Sequence, residues 1–101
     1  MATCLAGVDV GTTGVRCAIF DLGGSILGSA YREYGAAYPR PGWVEQDADE
    51  LVSRTFEACR GAVGRAGVDP ASIVSVGFST QRSVTVPVDG AGRPVRPAIS
   101  W

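Results

Sequence analysis

The run Asp9-Val10-Gly11-Thr12-Thr13-Gly14-Val15-Arg16, set directly behind the apolar stretch Cys4-Leu5-Ala6-Gly7-Val8, constrains this chain more than any other feature. An apolar run ends in one carboxylate, turns through glycine and threonine, and re-enters an apolar run that opens with an arginine. This is the pattern of a β-hairpin with an anion-binding turn. Gly11 and Gly14 have no side chain to hold a phosphate off the backbone amides, and Thr12 and Thr13 add hydroxyl donors. Arg16 offers a planar fork to phosphate oxygens, a charge-assisted bond worth roughly 1.5–3 kcal/mol. Asp9 is the only acid in the turn. It suits Mg²⁺ held through its waters, because that ion sheds water reluctantly and takes one or two carboxylates beside substrate phosphates. The same residues also spell an ordinary β-turn, and the local pattern leaves both readings standing.

Two common phosphate motifs do not match. No Gly-Lys-Ser/Thr follows the turn, as a Walker A loop requires, and no helix pattern opens there, as a dinucleotide fingerprint requires. A phosphate hairpin between two strands resembles instead the ATPase domains shared by actin, heat-shock chaperones and sugar kinases.

Composition narrows the function classes. A chain of 101 residues, 46% hydrophobic, has room for one small globular domain. The net charge of −1 argues against an electrostatic grip on nucleic acid or anionic membrane. No basic segment leads into a long apolar run, and no apolar run approaches the ~20 residues of a membrane span. Cys4, Cys17 and Cys59 are odd in number and lie within apolar stretches, which suits reduced core thiols in a cytoplasmic protein. With no histidine and no Cys-x-x-Cys, a zinc site or a histidine-activated nucleophile is excluded, so any general base must be a carboxylate.

The elements read as a β-meander over residues 3–8, 15–21 and 25–34, with Asp21-Leu22-Gly23-Gly24 as a tight turn. Pro39-Arg40-Pro41-Gly42 breaks both helix and central strand. Asp47 then reads as an N-cap with Glu50 closing a near capping box. Leu51, Val52, Thr55, Phe56, Cys59, Ala62, Val63 and Ala66 recur at helical spacing as one buried face, and Gly67 ends the helix. A buried strand over 73–78 leads to the polar cluster Ser79-Thr80-Gln81-Arg82, where α/β folds commonly bind ligands. The chain ends as an expected hairpin, residues 84–88 returning through 94–101.

Four separated segments carry a resemblance to one family. They are the first turn, Pro39-Arg40-Pro41-Gly42-Trp43-Val44-Glu45-Gln46-Asp47, Val76-Gly77-Phe78-Ser79-Thr80-Gln81-Arg82, and Asp89-Gly90 with Pro97-Ala98-Ile99-Ser100-Trp101. In order and spacing the chain resembles the N-terminal part of an FGGY-family carbohydrate kinase, a group that includes glycerol kinase, xylulokinase and ribulokinase. The resemblance implies an α/β, ribonuclease H-like (actin/hexokinase-type ATPase) fold, incomplete here: β-β-β-α-β plus a C-terminal β-hairpin. Residues 1–101 would be the opening of the first kinase domain, with the rest of that domain and the whole second domain lying downstream.

The function implied is transfer of the ATP γ-phosphate to a sugar or polyol hydroxyl with Mg²⁺, in a cytoplasmic enzyme that binds neither nucleic acid nor membrane and can form homo-oligomers at full length. By resemblance, Gly11, Thr12, Thr13, Gly14 and Arg16 contact ATP phosphates and Asp9 lies near the metal. Gly14 stands where relatives often have serine. Gln81, Arg82, Ser83 and Trp101 fall on the substrate side. Ser83 stands where glycerol kinase has a glutamate, and a neutral, shorter serine cannot accept bidentately, which disfavours glycerol. Trp101 could equally pack in the core, whereas Trp43 reads as an anchor for the loop before the helix.

The catalytic aspartate of the family lies downstream of Trp101, so these residues alone are expected to show no kinase turnover. Three other readings stay open: a nucleotide-binding half of a split enzyme, an inactive truncated product left with an unpaired sheet edge, and a chaperone-like ATPase. The last shares the first hairpin but leaves Pro41-Gly42-Trp43 and Gln81-Arg82 unexplained.

Overall fold

The computed structural model describes residues 2–101. Strands β1 (Cys4–Val10), β2 (Gly14–Asp21) and β3 (Ile26–Glu33) form the expected meander. β1 and β2 pair antiparallel from Cys4↔Asp21 to Val10↔Val15, and β2 pairs antiparallel with β3. The turn between β2 and β3 closes because Asp21 Oδ1 accepts from the Ser25 N–H at 2.9 Å while Gly24 adopts φ 88°.

Two-residue alternation sorts the strands into faces. Val8, Val15, Cys17, Ile19 and Ala30 are buried beneath the one α-helix among the described residues, while Asp9, Arg16 and Tyr31 are exposed on the opposite face.

Helix α1 spans Ala48–Ala66. Asp47 caps it, its carboxylate accepting from the Asp49 and Glu50 N–H groups, and Gly67 stops it in the left-handed conformation at φ 67°. The expected capping box does not close. Glu50 Oε1 accepts from the Gly35 N–H at 2.8 Å, so the acid is spent tying the helix start to the incoming loop.

The buried face of α1 is narrower than its periodicity implies. Ala58 and Ala62 are buried, but Val52 and Phe56 are 55% and 57% exposed. The cause is close packing along a seam of small residues. A Cβ on Gly28 would lie 2.4 Å from the Ala66 backbone nitrogen, and one on Gly61 would lie 2.9 Å from the Ala30 Cβ. The helix therefore sits down onto β2 and β3 and leaves its flank toward β1 uncovered.

After a short 3₁₀ turn (Pro70–Ser72), β5 (Ile73–Thr80) pairs parallel with β1, giving the sheet order β3-β2-β1-β5. Both partners run two residues past their expected ends, because the parallel ladder continues to Val10↔Thr80. The strand expected to be buried is instead an open edge, with Val74, Val76 and Phe78 at 65%, 50% and 64% exposure.

The expected C-terminal hairpin forms around the turn at residues 89–92, but irregularly. Residues 84–88 and 94–101 meet only at the isolated bridges Thr85↔Ile99 and Val88↔Pro94. Pro87 accepts from the Val95 N–H at 3.1 Å but has no N–H to return the bond, which interrupts the ladder. The returning segment has a second partner: β6 (Ala98–Ile99) lies antiparallel to β4 (Glu45–Gln46), fastening the chain end to the approach of α1.

All three cysteines are free thiols, Cys4 and Cys17 buried and Cys59 partly so. Burial pushes the Cys17 thiol up to about 12, helped by the neighbouring Cys59. No helix among the described residues is long and apolar enough to cross a membrane.

Candidate phosphate and substrate site

The ladder registers align chemistry across the exposed face. Asp9 pairs with Arg16, Arg16 with Tyr31, and Asp9 on its other side with Ser79, so four polar side chains form one row beside the first turn. Asp9 and Arg16 are exposed, and no ion pair engages either among the described residues. The Arg16 guanidinium lies 5.1 Å from the Tyr31 ring centroid, which orients the fork without consuming its donors. Asp9, Arg16 and Ser79 border an open trough of about 420 Å³ whose floor includes the paired glycines Gly7 and Gly77.

The turn itself is stiff. The Gly11 N–H donates to the Gly14 carbonyl at 2.9 Å, closing the loop and leaving Thr12 and Thr13 exposed at its tip. Tyr34 supports it from the core side. Its hydroxyl faces the carbonyl oxygens of both Gly11 and Gly14, at 3.1 Å from the latter, and its N–H donates to the Thr13 carbonyl at 3.2 Å. Burial raises the Tyr34 phenol above its ordinary value, with Tyr31 and Asp9 adding to the effect, so it stays a neutral donor.

Gly14 is glycine for a steric reason. A Cβ there would lie 2.3 Å from the Tyr31 hydroxyl and 2.6 Å from the Arg32 carbonyl. The Tyr31 hydroxyl thus occupies the space beside Gly14, 3.3 Å from the Thr13 hydroxyl.

Thr12, Thr80, Gln81, Arg82, Ser83 and Trp101 line one open cleft of about 450 Å³. The Gln81 N–H extends the parallel ladder to the Val10 carbonyl at 2.8 Å. Arg82 is exposed and in no ion pair among the described residues. Ser83 has φ 58°, the one non-glycine residue among those described with positive φ, a conformation that costs about 1–2 kcal/mol. Trp101 is 77% exposed and lines the cleft. Trp43, half exposed, is held by Arg40 stacked 5.0 Å from its ring rather than by the core.

All ten sequence-nominated residues therefore gather at one end of the sheet. Thr12 lines the cleft of Gln81 and Arg82 while Asp9 and Arg16, on the strands that flank its turn, border the neighbouring trough. Sequence reasoning missed Tyr31, Tyr34 and Gln46. The first two had a signal: alternation from Ala30 puts Tyr34 on the core face and Tyr31 on the exposed face, level with the turn. Gln46 had none, because its partners lie more than thirty residues away in either direction.

A meander followed by a helix and a parallel strand, with a polar turn at the open end, defines the class as a partial α/β fold of the actin/hexokinase type. Within that class, the sequence profile of the FGGY family of carbohydrate kinases, N-terminal domain, matches residues 4–101, and the chain belongs to that family. It is 44% identical over its full length to a glycerol kinase of Chloroflexus aurantiacus and 39% identical over 96% of its length to one of Thermococcus onnurineus, spanning 20% of each. A xyloylose kinase from Brucella ovis superposes with a TM-score of 0.89 at 28% identity, over 95% of this chain and 20% of that one. Glycerol kinase from Plasmodium falciparum, solved with ADP, superposes at 0.84 over 99% of this chain and 20% of that one; its 21% identity bears on the fold alone. The chain thus spans about a fifth of the relatives it matches.

Proposed function

We propose that residues 1–101 form the opening of the first domain of an ATP-dependent sugar or polyol kinase. The observation that carries this reading is the placing of two depressions beside one turn: Thr12 at its tip lines the cleft of Gln81 and Arg82, while Asp9 and Arg16, on the strands that flank it, border the trough. A phosphoryl donor held in the trough and an alcohol held in the cleft would meet at the turn.

Each residue then has a task. Thr12 and Thr13, exposed at the tip, present donors to ATP phosphates, Gly11 and Gly14 close the turn that carries them, and Arg16 neutralises the phosphate charge with its fork. Gln81, Arg82 and Ser83 hydrogen-bond substrate hydroxyls, and the Trp101 face packs on the C–H side of the carbohydrate. The residues present fit Mg²⁺, because Asp9 offers one exposed, uncommitted carboxylate beside the phosphate turn. When bound, that ion would neutralise charge developing on the transferred phosphoryl group.

The substrate hydroxyl attacks the γ-phosphorus in line, the bond to the ADP oxygen breaks, and the hydroxyl proton passes to a base. No carboxylate lines the Gln81–Arg82 cleft, so that base comes from outside these residues and the isolated chain does not turn over. Ser83 offers no bidentate acceptor, which favours sugars and polyols other than glycerol.

The test is ADP release by the polypeptide expressed from its own gene, with ATP and a panel of glycerol, D-xylulose, D-gluconate and other sugars and polyols. Stimulation by one or more supports the reading. Silence across the panel sinks it.

A further inference from the structure

Gln46 lines neither depression, yet it bonds two residues of the Gln81–Arg82 cleft, one of which, Thr12, stands at the tip of the first turn. It is 3% exposed, held by β4 pairing with Ala98 on one side and followed directly by the Asp47 helix cap. Its Nε2 donates to the Thr12 carbonyl at 3.0 Å, and its Oε1 accepts from Gln81 Nε2 at 2.9 Å.

The polarity of this chain has one solution. A backbone carbonyl only accepts, so Gln46 must turn its NH₂ toward Thr12 and its oxygen toward Gln81. Gln81 must then answer with its own NH₂, which leaves Gln81 Oε1 as the free end. That oxygen is buried and has no hydrogen-bond partner. A buried acceptor left unpaired is costly and marks a place for a donor. Gln81 lines the cleft with Arg82, whose guanidinium can only donate. A ligand group satisfying both must donate and accept at once, as a hydroxyl does and a carboxylate does not.

We infer that Gln46 is a positioning residue that couples the phosphate turn to the substrate cleft, holding the Thr12 carbonyl in place and fixing Gln81 as an acceptor for a substrate hydroxyl. This deepens the kinase reading above and rests on it for its substrate.

Two variants separate positioning from packing. Gln46→Glu keeps size and the acceptor for Gln81 but loses the donor to Thr12; Gln46→Leu loses both. In the polypeptide expressed from its own gene, Gln46→Glu raises KM for ATP about fivefold or more and leaves KM for the best of glycerol, D-xylulose and D-gluconate within about twofold. Gln46→Leu raises both KM values about fivefold or more, with kcat little changed. Equal shifts of both KM values in both variants, or no shift in either, would overturn the proposal.

If the unsubstituted polypeptide phosphorylates nothing, the kinase reading fails and the relay is judged separately by NMR of the 101-residue chain. The Gln81 side-chain amide protons then exchange at least about tenfold more slowly in the unsubstituted and Gln46→Glu chains than in Gln46→Leu. Fast exchange in the unsubstituted chain, or one rate in all three, overturns the relay. Gln46→Glu and the unsubstituted chain carry the test if Gln46→Leu does not fold.

Discussion

The Tyr34 hydroxyl and the Gly14 carbonyl oxygen lie 3.1 Å apart, joining the end of the third strand to the start of the second directly beneath the first turn. The same hydroxyl faces the Gly11 carbonyl, so one phenol serves both ends of the turn. Tyr34→Phe leaves two acceptors without that donor and is expected to cost about 1–2 kcal/mol. The urea midpoint would fall with an unchanged slope. An unchanged midpoint would mean that the turn holds its shape without the phenol.

Gly14 and Tyr31 compete for one space. Gly14→Ala puts a methyl 2.3 Å from the Tyr31 hydroxyl and 2.6 Å from the Arg32 carbonyl, and should destabilise by about 1–3 kcal/mol. Adding Tyr31→Ala should recover only part of the loss, because the backbone carbonyl of Arg32 cannot retreat as a side chain can. Full recovery in chemical denaturation would show that the phenol alone excludes a side chain at position 14.

Cys17 predicts an alkaline weakness. Its folded thiol is raised from an ordinary value of 9.0 to about 12. Between those values the unfolded chain has released the proton and the folded chain has kept it, so stability falls as pH rises through this window, by at most about 1.4 kcal/mol per pH unit. Cys17→Val should flatten the fall between pH 9 and 11. Tyr34, also raised, shifts stability in the same direction at higher pH. A parallel measurement is thiol labelling: at pH 8 the partly exposed Cys59 should react well before Cys4 and Cys17.

Arg16 tests the anion site. Arg16→Lys keeps the charge but loses the planar fork and weakens stacking on Tyr31. In the polypeptide expressed from its own gene, KM for ATP should rise about tenfold with little change in the KM for the alcohol. An equal change in both would move Arg16 out of the phosphate site.

Local chemistry carried much of this molecule. Strand alternation, Asp47 and Gly67 as helix caps, and the Gly24 turn all follow from the sequence, because each depends on backbone preferences within a few residues. The Asp9–Arg16 row was legible for the same reason: hairpin register follows from the turn between them.

What the sequence left undecided depends on distant partners. Nothing local says that Glu50 bonds Gly35 instead of closing a capping box, or that Ala98–Ile99 pairs with β4 while Ile99 keeps its bridge to Thr85. Nor could helical spacing reveal that Gly28 and Gly61 draw the helix onto β2 and β3 and leave Phe56 uncovered. The alternation of Val8, Val15, Cys17 and Ile19 determined which face is core, since period-two patterning needs no partner to be read. Only the tertiary structure decided that Gln46 stands between Thr12 and Gln81, because hydrogen bonds between residues far apart in the chain exist only once packing has brought them together.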